Sequence, residues 1–143
     1  MPRIRRLTIS DYQEITRLWE QSSLPFKPQG RDSKREIAGQ MKRDPELFLG
    51  AFEDNLLLGT VVGSYDGRKG WINRLAVDPR YRRQGIAEEL IAEVEKALKE
   101  KGARIICALV EEPNQASVSL FKKLGYATHR DILYVSKRES EEV

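Results

Sequence analysis

Between Trp71 and Val110 the chain carries a strand, a basic turn, a long amphipathic helix and a second strand, and no other stretch constrains the fold as tightly. Two strands joined through a helix of that length lie parallel in one sheet, with the helix packed back across one face. The helix reads from Ile86 to Lys101. Ala87, Leu90, Ile91, Val94, Ala97 and Leu98 form a single apolar stripe at helical spacing. Glu88 and Glu89 stand early and Lys99 and Lys101 late, which complements the helix dipole, and Gly102 ends it. The strand before it is Trp71 to Val77. The strand after it, Arg104 to Val110, is apolar enough to predict burial on both faces.

The remaining segments supply the rest of one α/β unit. Ile4 to Ile9 predicts a strand, and Ser10 with Gln13 a capping box for a helix carrying Ile15, Leu18 and Trp19. Two prolines and a glycine make Ser22 to Asp32 a loop. Ser33 with Glu36 opens a second helix through Met41, which stops before Pro45. Leu47 to Glu53 and Leu56 to Ser64 predict a hairpin across Asp54-Asn55, and Asp66 to Gly70 a second turn. Asn114 caps a short helix through Leu124, Gly125 closes it, and Tyr126 to Ser136 predicts a last strand. The order is βααβββαβαβ, read as one domain over residues 1–143.

Composition excludes several classes of function. The single cysteine, Cys107, rules out an internal disulfide framework, and with one histidine no structural metal site is expected. No apolar run reaches the ~20 residues needed to span a bilayer. The N-terminal stretch has basic residues without an apolar region behind them, so the protein reads as cytoplasmic, with no membrane partner. A net charge of +3 suits a polyanionic ligand without demanding nucleic acid.

The chemistry concentrates at the strand-to-helix turn, "YRRQGIAEEL" from Tyr81 to Leu90. The first N–H groups of a helix lack internal partners and carry partial positive charge. Gly85 and the small Ala87 admit close approach to the backbone, as a phosphate requires, and Arg80, Arg82 and Arg83 add charge at the mouth. One glycine among arginines is by itself a weak signal. The turn lacks both G-x-G-x-x-G and G-K-[ST], so it is neither of the two commonest phosphate loops.

Arg82-x-x-Gly85-x-Ala87 resembles the Q/R-x-x-G-x-G/A motif of the GNAT N-acetyltransferase superfamily. "LAVDPRYR" (Leu75 to Arg82) resembles that family's approach to the loop. "NQASVSLFKKLGY" (Asn114 to Tyr126) resembles its N-x-x-A/S-x-x-x-Y-x-x-L-G-F/Y helix, and "IRRLTISDYQEITRLW" its first strand and helix. Gly63 to Val77 further resembles the small prokaryotic YpeA-like subgroup. The resemblance implies a mixed, mostly antiparallel central sheet flanked by helices, and transfer of an acetyl group from acetyl-CoA to an amine without a metal. It also implies that Arg82, Arg83, Gln84, Gly85, Ile86 and Ala87 hold the pyrophosphate. Leu75, Ala76 and Val77 would line the pantetheine arm, with the Leu75 N–H polarising the acetyl carbonyl. Asn114, also a plain helix N-cap, would bond the pantetheine. A homodimer is compatible with all of this, and oligomeric state stays open.

Two positions depart from the family pattern. Its frequent tyrosine, which can protonate the departing thiolate, falls at Phe121, which packs either under the pantetheine or into the core. Tyr126, Tyr134 or solvent remain as acids. Its frequent glutamate on the strand before the loop is absent, and Asn73 and Arg74 stand there instead. Glu111 and Glu112 are candidate bases, or simply exposed charges before Pro113. His129 and Cys107 read as structural. Two rivals follow: a non-catalytic acyl-CoA-binding module, and, from basicity alone, a nucleic-acid binder. Lys27, Arg31, Lys34 and Arg35 near the Ser22–Asp32 loop hint at an acidic acceptor, a hint that Asp32 and Glu36 dilute.

Overall fold

The computed structural model describes residues 2–111 and 114–143. The elements are β1 (Arg3–Arg6), α1 (Tyr12–Gln21), α2 (Lys34–Arg43), β2 (Phe48–Glu53), β3 (Leu56–Tyr65), β4 (Gly70–Val77), α3 (Ile86–Lys101), β5 (Ile106–Ala108) and α4 (Gln115–Lys123). The strands form one sheet in the order β1-β2-β3-β4-β5. Every neighbouring pair is antiparallel except β4 and β5, which are parallel and joined through α3. The crossover and the mixed, mostly antiparallel sheet are thus as the sequence predicts.

Helices cover both faces of the sheet. On one side Leu90, Ile91, Val94 and Leu98 of α3 and Phe121 of α4 pack on Leu58, Val61 and Ile72. On the other, Ile15, Leu18 and Trp19 of α1 and Ile37 and Met41 of α2 pack on Phe52, Leu57, Val62 and Ala76. Burial of two such apolar layers is the main driving force for the fold. α3 lies unusually close to the strands because glycines face it. A Cβ on Gly63 would stand 2.8 Å from Val94 Cγ2, and one on Gly59 3.0 Å from Leu90 Cδ1. This close seat fixes where the first turn of α3 stands relative to the end of β4.

Three expectations need correction. The first helical turn is capped by Thr8 and Asp11, not by Ser10 and Gln13: the Thr8 N–H donates to Asp11 Oδ2 at 2.8 Å. Arg5 Nη1 lies 3.0 Å from the same oxygen, and β1 ends at Arg6, short of the predicted Ile9. The strand predicted over Arg104 to Val110 is only Ile106–Ala108 and lies at the sheet edge, so Ile105 and Leu109 are exposed, not buried on both faces. The strand predicted over Tyr126 to Ser136 does not form. Its apolar residues Ile132, Leu133, Tyr134 and Val135 run consecutively, so no single face of a strand would bury them, and all are at least 68% exposed.

Candidate active site

The candidate site is the gap, or cleft, where the pairing of β4 with β5 stops. The two strands pair only from Gly70–Ile72 to Ile106–Ala108. Among the described residues, β4 has no strand partner on that side from Asn73 to Val77, so its backbone there faces an opening. Here β4 also carries an extra residue: Thr60 pairs with Ala76 and Val62 with Asn73, so Arg74 and Leu75 stand opposite Val61 alone. The bulge rephases the strand, which is why Ile72 packs on the α3 side and Ala76 on the α1 side. Leu75 and Val77 are half-buried on the α3 side, beside the cleft.

Past β4 the chain turns sharply on Asp78. This buried carboxylate accepts from the Arg80 N–H at 2.9 Å and from Arg80 Nη2 at 3.0 Å. The Arg80 side-chain bonds hold the Asp78 carboxyl below its ordinary range. Arg80 is therefore engaged in building the turn, where the sequence suggests a mobile charge. Arg82 and Arg83 remain exposed. Arg83 at φ 64° and Gly85 at φ 82° both have positive φ, a backbone conformation of the kind that nests of successive N–H groups use to bind anions. α3 then starts with the Glu89 N–H on the Gly85 carbonyl at 3.1 Å. The N–H groups of Ile86, Ala87 and Glu88 come before that first helical bond, and Gly85 has no side chain to cap them. A Cβ on Gly85 would meet nothing within 4 Å, so the loop opens onto free space. These N–H groups and this space fit a phosphate.

α4 follows β5 in the chain. Asn114 is its N-cap, with Oδ1 accepting from the Ser117 N–H at 3.1 Å. Phe121 points the other way, into the core, edge-on to Tyr126 at 5.0 Å between ring centroids. The Tyr126 hydroxyl donates to Glu95 Oε2 at 2.5 Å, tying α4 to α3. Burial, then the bond to Glu95, pushes its ionisation well up. With its proton held by Glu95, Tyr126 is not placed as an acid for a thiolate. Tyr134 and His129 lie exposed on the C-terminal segment. Cys107 is half-buried on β5 and free. Glu111 is exposed just past β5, and Glu112 lies outside the described residues.

On the α1 side of the sheet stands a group that sequence reasoning missed. Arg74 Nη2 reaches Asp32 Oδ2 at 2.6 Å, and its guanidinium lies 4.3 Å over the Trp19 ring. Asp32, read in the sequence as one more loop charge, is buried and also accepts the Lys27 N–H at 2.7 Å. The one available signal was Thr60, a lone hydroxyl within the apolar run of β3, which receives the Trp19 indole N–H at 3.0 Å.

Comparison with known proteins places this arrangement. The family model described as the acetyltransferase (GNAT) family matches residues 10–126. An acetyltransferase of Photorhabdus laumondii is 38% identical over 136 residues, covering 94% of each chain. One from Yersinia pestis is 36% identical over 135 residues, again 94% of each. The crystal structure of the PaiA N-acetyltransferase of Thermoplasma acidophilum in complex with coenzyme A is similar at a TM-score of 0.77 and 25% identity, over 90% of this chain and 91% of that one. A match over most of the chain, at the loop and on both flanks of the cleft, means that this protein belongs to the acetyltransferase (GNAT) family.

Proposed function

We propose that this protein is one N-acetyltransferase unit that carries the acetyl group of acetyl-CoA directly to an amine, with the β4–β5 cleft as its active site. The observation that carries the reading is the continuity of two unpaired surfaces. Among the described residues no strand pairs with the β5 side of β4 over Asn73–Val77, where the Val77 carbonyl accepts from Arg82 Nε at 3.4 Å. The chain leads from there through Asp78 and Arg80 to the N–H groups of the Arg83–Ala87 turn. The turn holds the pyrophosphate, with Arg82 and Arg83 screening its charge. The extended pantetheine lies along Leu75, Ala76 and Val77 as an added strand would, and reaches Asn114 on α4. Phe121, being buried, serves α4 packing and not the ligand.

The thioester carbonyl then comes to the Leu75 N–H. A donor fixed where negative charge develops lowers the barrier to acyl transfer. The acceptor amine attacks that carbon, the C–N bond forms, the C–S bond breaks, and the amine proton must leave. Glu111, exposed at the mouth, takes it directly or through water. Solvent protonates the thiolate, since neither Phe121 nor Tyr126 offers a proton there.

The test is CoA release from acetyl-CoA over a panel of small amines and peptide N-termini. Turnover with at least one amine, lost in Leu75→Pro, is the expected result, because proline removes that N–H. Tight acetyl-CoA binding with no turnover on any amine would leave an acyl-CoA-binding module instead.

A further inference from the structure

We propose that Thr60 and Arg74 are positioning residues that aim the Leu75 N–H into the cleft, and that Asp32 ties this aim to the 22–33 loop. The inference rests on the donor role given to Leu75 above and adds what holds that donor in place.

Arg74 has φ 52°, in the left-handed region, inside a strand. A non-glycine residue keeps that conformation only where its surroundings impose it. Here a closed ring of contacts does so. The Thr60 hydroxyl is fully buried and accepts from the Trp19 indole N–H at 3.0 Å. An indole nitrogen only donates, so the hydroxyl proton is left for another acceptor. It goes to the Arg74 carbonyl at 2.9 Å. The Arg74 guanidinium returns over the same indole at 4.3 Å, which closes the ring. Its far end bonds Asp32 and the Pro25 carbonyl. Asp32 is fixed in turn by the Lys27 N–H on its carboxylate and by the Tyr12 hydroxyl, which donates to its carbonyl at 2.8 Å.

Peptide geometry carries this arrangement to the chemistry. Among the described residues no peptide bond is cis, so the Arg74 C=O and the Leu75 N–H, in one peptide unit, point in opposite directions. Holding that carbonyl on Thr60 of β3 sends the Leu75 N–H to the other side of β4, where the strand has no partner. The network is poorly explained by stability alone. A buried ion pair and a buried hydroxyl gain little over apolar groups of the same shape. What they add is orientation, and through Asp32 and Pro25 that orientation is joined to the loop flanking the acceptor side.

The experiment uses the full chain and acetyl-CoA labelled with 13C at the acetyl carbonyl. Isotope-edited infrared spectroscopy reads the thioester stretch, calorimetry the affinity, and circular dichroism the fold. The parent should lower the stretch on binding. Thr60→Val, of equal shape but with no hydroxyl, should lose most of that shift while its Kd stays within about threefold of the parent's. Thr60→Ser should restore the shift, which a mere packing role would not do. Asp32→Asn, which keeps the loop side chain's size, should reduce the shift at unchanged Kd, and it carries the test should Thr60→Val not fold. A parent shift that persists in both Thr60→Val and Asp32→Asn overturns the positioning device alone. A parent that binds acetyl-CoA without moving the stretch overturns the donor role of Leu75, and the device with it.

Discussion

Phe121 shows how one side chain decides between two chemistries. In the family motif its place is often a tyrosine, and a hydroxyl there would have to reach the cleft to act. Instead the ring is 7% exposed and packed edge-on against Tyr126. A hydroxyl added at that point meets apolar neighbours and goes unsatisfied, at a cost of about 1–3 kcal/mol. Phe121→Tyr should therefore lower Tm and leave kcat and its pH dependence where they were. A rise in kcat with Tm intact would place this position beside the thiolate and overturn the view of α4 given above. Tyr126 follows the same logic in reverse: its hydroxyl is spent on Glu95, which links the segment after α4 to α3.

Among the elements, α3 couples the core to the ligand site, because its first turn carries the N–H groups and its length rests on the strand glycines. Gly63→Ala sets a methyl group 2.8 Å from Val94 Cγ2 and overpacks the interface, at about 1–3 kcal/mol. Tm should fall, and acetyl-CoA affinity with it, since the helix start must move. Gly39 is the control. It lies inside α2 with Arg43 Nη1, 3.8 Å away, as its nearest neighbour, so Gly39→Ala should add about 0.5–1 kcal/mol and leave binding alone. Equal effects of the two substitutions would deny α3 its special seat. The contrast also shows what a sequence can reveal. α3 was legible to the residue, because the stripe, the graded charges and Gly102 are local signals that agree. The turn before it was legible as a basic, glycine-containing loop for the same reason. The extent of β5 and the missing last strand were not, because apolar runs state a strand's propensity and never its partner. Arg74, Asp32, Thr60 and Trp19 were illegible as a group, since only the folded sheet brings them together.

At the scale of the whole molecule, several carboxylates are held by hydrogen bonds to their charged form, and these set its response to acid. Arg80 holds the Asp78 carboxyl low, Lys101 does the same for Glu46, and the Lys69 and Arg68 N–H groups lower Asp66. At Asp11 burial acts in the opposite direction, but the bonds from Arg5 and Thr8 outweigh it. All four carboxyls thus release their protons more readily folded than unfolded, where Asp and Glu titrate at about 3.9 and 4.3. Between the two sets of values the unfolded chain binds more protons, so stability rises with pH. The contribution is complete above the unfolded values and is lost as pH falls through the folded ones. Tm should be level from neutral pH to about 5 and decline below about 4. A Tm that holds level through that lower range would contradict these pairings. No helix among the described residues is long and apolar enough to cross a membrane.

Calorimetry of acetyl-CoA with the parent and Gly85→Glu tests most directly whether the turn before α3 is an acyl-CoA pyrophosphate site. Gly85 faces open space at φ 82°, so the added carboxylate has room but enters the phosphate's position and repels it. The strained backbone should cost the variant about 1–2 kcal/mol of stability without unfolding it. The parent should bind at micromolar affinity or tighter, about −8 kcal/mol, and the variant at least tenfold more weakly, a loss of about 1.4 kcal/mol or more. No binding by the parent at millimolar acetyl-CoA, or a folded Gly85→Glu that binds like the parent, would contradict the account.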